Sequence, residues 1–234
     1  MKNDNCKERR KNGKTKGISL ILKAIVVFCA VSGVTRCLFS DSGSFMGGLR
    51  MLLYFTIQSN IAIAVICCIG GVLLLSGRKI PDRWYTIKFV GTIAITLTGA
   101  VFCFVLAPTM GGNVWNMVNL FTHVIVPIVS VADFFVSGID ADIPRSKVGY
   151  VLLPPLVYVC FAGVGYVRGW NFSHGANYPY FFLDWGNQAG AFGFSSEFPF
   201  MGCMWWIMIL SVLIILVGLL YLQILKIIKE HYNK

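Results

Sequence analysis

Two short stretches hold the residue types that acyl-transfer chemistry uses. The first is Leu53-Tyr54-Phe55-Thr56-Ile57-Gln58-Ser59-Asn60, and the second is Asn116-Met117-Val118-Asn119-Leu120-Phe121-Thr122-His123. A threonine hydroxyl is a weak nucleophile until a base takes its proton, and a neutral imidazole is such a base. Thr56 and His123 are therefore a candidate nucleophile and general base. Ser59, Asn60, Asn116 and Asn119 are the supporting polar side chains. An amide donor from Asn60 or Asn119 would suit the oxyanion of a tetrahedral intermediate.

Both stretches open runs long enough to cross a bilayer, where polar groups are expensive and mark functional candidates. The chain has 234 residues, 56% hydrophobic and 13% charged, with mean hydropathy +0.71. That composition excludes an ordinary soluble domain and predicts an all-α polytopic membrane protein. Apolar runs are expected at residues 18–38, 51–75, 88–107, 115–137, 150–167 and 204–227, giving a bundle of six transmembrane helices. The domain plan is a basic disordered tail (1–16), the six-helix domain (17–228) and a short tail (229–234). The first run lacks a small-residue cleavage site, so a retained anchor is expected rather than a signal peptide. Pro154 and Pro155 predict a fifth span that is kinked or begins late.

The formal net charge is +10. It is not a nucleic-acid signal, because Lys and Arg concentrate in the N-terminal tail and in residues 76–88, 138–149 and 229–234. By the positive-inside rule this predicts a multi-pass protein of the cell membrane with both termini cytoplasmic. Lys23 and Arg36 are expected to snorkel to the two faces. Asp133, roughly 15 Å along the helix from His123, is expected as a boundary charge paired with a loop cation. Most of the eight cysteines lie in apolar runs, and neither Cys nor His has metal-ligand spacing, so no metal and no cofactor is expected. A Cys37–Cys203 disulfide would need both residues on one face. His174 and His231 lie outside the spans.

Helical periodicity puts Thr56, Ser59 and Asn60 on one side of span two, with Gln58 pointing elsewhere. It puts Asn116, Asn119, His123 and Pro127 on one stripe of span four. Facing stripes at like depth are best buried against each other. Thr92, Thr96, Gly99 and Cys103 on span three are read as close helix packing. Residues 168–201 form the one long connection, rich in aromatics and expected to fold over the bundle mouth as a lid.

At these residues the chain resembles the androgen-induced and androgen-dependent TFPI-regulating protein family. Its members are six-span membrane hydrolases of fatty-acid esters of hydroxy fatty acids. The matching features are Thr56, Asn119 with His123, and Tyr178-Pro179 before the last span; they are short, but their order and topology agree. The resemblance implies a Thr56/His123 catalytic pair, Tyr178 and Pro179 in the lid, and a membrane lipid or lipid ester as partner. The Gln58-Ser59-Asn60 run and the basic N-terminus depart from the animal members and point to a distant, microbial relative. Two alternatives stay open: a small-solute or proton transporter using the same stripes, and a structural protein in which they only pack helices.

Overall fold

The computed structural model describes residues 2–40, 47–77, 80–112, 114–173 and 175–232, with backbone alone for 2–12 and 140. The expectations placed on residues 41–46, Arg78, Lys79, His174 and Lys234 lie outside the described residues, as do the side chains of Cys6 and Asp140. The protein is an all-α bundle in which six helices are long and apolar enough to cross a membrane. They are α1 (Lys2–Leu38), α2 (Phe55–Leu75), α3 (Asp82–Thr109), α4 (Met117–Ser137), α5 (Arg145–Val167) and α6 (Cys203–Tyr232). No strand occurs among the described residues, only two isolated bridges in the long connection.

Helix α1 packs on α2 and α4, and α3 packs on the same two, so these four close a ring. Helices α5 and α6 lie against α3 on its other side. The first turns of α5 are 3-10 (Arg145–Leu152), and its α-helix begins at Leu153 with prolines in the first turn. Proline is tolerated there because the first amides have no helical acceptor. The late start expected of this span is thus what is found.

Several boundaries differ from the sequence expectation. Residues 48–53 form a 3-10 turn, and α2 starts only at Phe55. Helix α1 extends back to Lys2 where a disordered tail was expected. Lys and Arg are good helix formers, and extending an existing helix avoids the cost of nucleation. Helix α3 starts at Asp82, so Lys88 lies inside it and not at its entrance.

That last shift reveals the central polar feature of the bundle. Asp133 is fully buried, and Lys23 and Lys88 are also buried. The Lys23 ammonium donates to Asp133 Oδ1 at 2.7 Å and to Ser19 Oγ at 2.6 Å. The Ser19 hydroxyl donates to the same oxygen at 2.7 Å, and Lys88 Nζ lies 2.6 Å from Asp133 Oδ2. Lys23 therefore does not snorkel, and Asp133 does not pair with a loop cation. Its partners come from α1 and α3, because two ammonium groups already inside the bundle are nearer than any loop. The Lys23 stem passes over Gly70 of α2, where a Cβ would sit 3.0 Å from its Cε.

An apolar belt lies one to two turns from this cluster. It comprises Val26 and Ala30 of α1, Ile63, Ala64 and Cys67 of α2, Ile95 of α3 and Val126 of α4. The second core joins α3, α4, α5 and α6 around Phe89, Phe134 and Ile214.

The charge count sets an order of mutational damage. Asp133→Ala leaves two buried ammonium groups unpaired and should cost about 3–5 kcal/mol. Lys23→Met leaves the neutral Lys88–Asp133 pair and should cost clearly less. Lys226→Ala, which breaks an exposed pair at 3.9 Å, should stay within about 1 kcal/mol. Thermal unfolding in detergent ranks the three, and equal loss for Asp133→Ala and Lys226→Ala would contradict the pairing.

Candidate active site

Helix α2 begins abruptly, because Tyr54 is extended and caps it without a side-chain bond. Thr56 is thus in the first helical turn, shallower than a start at residue 51 implied. Its position distinguishes it from the other threonines. Thr92, Thr96, Thr98 and Thr122 each donate to the carbonyl four residues back, on Lys88, Thr92, Ala94 and Val118. Thr56 has no such bond, and the carbonyl four residues behind it, on Leu52, accepts from Gln58 Nε2 instead. Among the described residues the Thr56 hydroxyl has only Tyr180 Oη within hydrogen-bond reach, at 3.5 Å.

His123 sits on a π turn, Phe121–Ile125, inside α4. Pro127 explains the turn: it lacks an N–H, and its ring crowds the carbonyl four residues back, that of His123. A second π turn, Phe102–Leu106, precedes Pro108 in α3. The two turns face each other, and the Phe102 ring stacks on the imidazole at 3.8 Å between centroids. Gly99 allows this approach, since a Cβ there would lie 2.8 Å from the His123 carbonyl oxygen. Thr96, by contrast, turns to Tyr221 of α6 at 3.2 Å.

The hydrogen bonds fix the imidazole tautomer. Nδ1 lies 3.3 Å from the Asn119 carbonyl oxygen and 2.9 Å from Thr122 Oγ1. A carbonyl can only accept, and the Thr122 proton already goes to Val118. Nδ1 therefore carries the hydrogen, and Nε2 carries the lone pair that a general base needs.

Thr56 and His123 line one cavity of about 470 Å³, together with Arg36, Phe102, Asn116, Asn119 and Tyr180. No hydrogen bond joins the two residues among the described residues. The cavity falls within the roughly 300–1,000 Å³ range of small-molecule sites. A narrow apolar slot of about 70 Å³ meets this cavity at Thr56, Leu106 and Tyr180. Its walls include Leu97, Val101, Val159, Ile207, Leu210 and Ile214.

The supporting residues divide differently from expectation. Both Asn60 amide hydrogens are engaged, with the Thr56 carbonyl at 2.8 Å and the Thr122 carbonyl at 3.1 Å. Asn60 thus ties α2 to α4 and has no donor left for an oxyanion, while its Oδ1 is buried without a partner. Asn119 Nδ2 donates to the Val114 carbonyl at 2.8 Å. Asn116 is the α4 N-cap, accepting from the Asn119 amide at 3.0 Å. Ser59 faces α3, with its hydroxyl 2.7 Å from that of Thr98.

The long connection folds onto the same end of the bundle. Phe172, Tyr180, Phe182 and Leu183 pack with Tyr54 and Tyr158, and Tyr54 Oη donates to the Phe172 carbonyl at 2.9 Å. The residue that reaches Thr56 is Tyr180, not Tyr178 or Pro179, neither of which lines the cavity. Nothing periodic marks Tyr180 in this aromatic segment. The π turns had a sequence signal in Pro108 and Pro127. Cys37 and Cys203 are both buried free thiols. The chain matches no family model, no curated protein and no solved structure.

Gly99→Ala drives a methyl into the His123 carbonyl and to 3.0 Å from Pro127. Such overpacking should cost about 1–3 kcal/mol. Gly163→Ala on α5, with open space around it, should stay within about 0.5 kcal/mol. Paired thermal melts in detergent check this, and indistinguishable midpoints would contradict the close α3–α4 approach.

Proposed function

We propose that this multi-pass membrane protein hydrolyses lipid esters, with Thr56 as nucleophile and His123 as general base. The observation that carries the reading is the shared cavity: among the described residues, the one buried threonine whose hydroxyl bonds no carbonyl faces the same space as an imidazole whose Nε2 holds its lone pair. The first carbons of the acyl chain would enter the narrow apolar slot, which begins at Thr56. The alcohol portion would lie in the wider cavity, where Arg36 offers a cation to a carboxylate. That arrangement suits a fatty-acid ester of a hydroxy fatty acid and accords with the family that the sequence resembles.

Thr56 Oγ attacks the ester carbonyl carbon as His123 Nε2 takes its proton, and the carbonyl π pair moves to oxygen. The intermediate collapses by breaking the carbon–alkoxide bond, with the imidazolium protonating the departing alcohol. Water, deprotonated by His123, then attacks the acyl-threonine and releases the acid. The cavity that the two residues line gives the ester room to enter, and catalytic contacts tighten when substrate is bound.

Transport is disfavoured by the apolar belt between the cavity and the buried charges. Pure packing is disfavoured by the Thr56 hydroxyl, which bonds no carbonyl and has only a long contact with Tyr180 Oη. The distribution of Lys and Arg supports cytoplasmic termini, which puts the cavity at the outer end. Reporter fusions near residues 111 and 185 should then read outside, and one near 232 inside.

Thr56→Ala and His123→Ala should each abolish ester hydrolysis and labelling by a lipid-like fluorophosphonate. The double variant should be no worse than either, because the pair acts as a unit. Thr56→Ser should keep part of the activity. Folded Thr56→Ala protein that hydrolyses esters at the parental rate would sink the proposal.

A further inference from the structure

The acylation step needs donors for its oxyanion; Asn60 has both amide hydrogens committed, and Asn119 is turned to the Val114 carbonyl with one of its two. We infer that the Tyr180 hydroxyl, together with the backbone N–H of Thr56, forms the oxyanion hole; this rests on the hydrolase reading. The Thr56 amide is in the first turn of α2, where amides have no intrahelical acceptor and the helix dipole favours negative charge. It points instead at Tyr180 Oη, 3.4 Å away. Two donors so spaced can both reach one oxygen about 2.9 Å from each, within the range that oxyanion stabilisation requires. Serine hydrolases use the nucleophile's own amide in the same way.

The position fits the reacting centre. Tyr180 lines both the slot and the wider cavity, so its hydroxyl stands where a chain lying in the slot would present its carbonyl. The ring is held by stacking on Phe182 at 5.2 Å and by the edge of Tyr54 at 5.9 Å. Burial pushes the phenol above its ordinary range, so it keeps the proton that it must donate. In the resting protein its contacts with Thr56 at 3.4 and 3.5 Å are long, and the phenols of Tyr158 and Tyr54 are the titratable groups that face it.

Tyr180→Phe removes the hydroxyl and keeps the ring. With a p-nitrophenyl ester of a medium-chain acid in detergent, kcat should fall about 10²–10³-fold with KM within about twofold. A trifluoromethyl ketone bearing the same chain, which forms a tetrahedral adduct, should lose affinity by the same factor. A non-reactive ether of that chain should bind unchanged. Retained kcat overturns the inference, and so does a parallel loss of ether binding, which would make Tyr180 a packing residue. Replacing Tyr180 with a ring-fluorinated tyrosine keeps the fold and lowers the phenol pKa, so the alkaline limb of kcat should move to lower pH; an unmoved limb also overturns it. If the parental protein neither hydrolyses the ester nor takes a fluorophosphonate at Thr56, the hydrolase reading itself falls, and the oxyanion hole with it.

Discussion

Asp133 holds two lysines from two other helices in the dry half of the bundle, and the ring of α1 to α4 is arranged around that cluster. At an effective dielectric of about 20, each contact of this length is worth about 6 kcal/mol. Removing three ions from water costs several kcal/mol each, and the two ammonium groups repel one another. The cluster is therefore near break-even as a source of stability. Its consequence is specificity. Any packing that separates Asp133 from Lys23 or Lys88 strands a charge in an apolar interior, so wrong registers of α1, α3 and α4 are penalised far more than the right one is rewarded.

Fixing those three helices at one end also fixes how they meet at the other. Along α4 the order is His123, Val126, Ser130, Asp133, and along α1 it is Gly33, Ala30, Val26, Lys23. The apolar belt fills the space between the charges and the cavity. Above it, Gly33 lets α1 approach Thr122, and Gly99 lets α3 approach the His123 carbonyl. These close contacts leave the imidazole little freedom: Phe102 covers one face, and Thr122 and Asn119 hold Nδ1. The imidazole is thus set by backbone geometry that Pro127 imposes.

Much of this was legible in the chain because it follows from local rules. Bilayer-length apolar runs predict the six helices, and Pro154 with Pro155 predicts the late start of α5. Periodicity places Thr56 and His123 on facing sides of their spans, and both do line one cavity. What was not legible depends on partners distant in sequence. A lysine one turn inside a span reads as snorkelling unless a buried carboxylate is known to face it, and Lys23 finds Asp133 110 residues away. Asn60 looks like a spare donor until the carbonyls of Thr56 and Thr122 are placed beside it. Tyr180 is one aromatic among many, and only the fold of the connection brings its hydroxyl to α2, 124 residues earlier.

The start of α2 decides what Thr56 can do. A helix beginning four residues earlier would put the Leu52 carbonyl within the ladder, and the Thr56 hydroxyl would bond to it, as Thr92, Thr96, Thr98 and Thr122 bond their own. Its amide would then also have a helical acceptor. The 3-10 turn over Gly48–Leu53 and the extended Tyr54 prevent both. Tyr54 is held there by its bond to the Phe172 carbonyl and by the aromatic cluster beneath the long connection. The same connection carries Tyr180 to the freed amide. The segment that closes the end of the bundle is thus what keeps the Thr56 hydroxyl and N–H out of the helix ladder, and so open to a ligand.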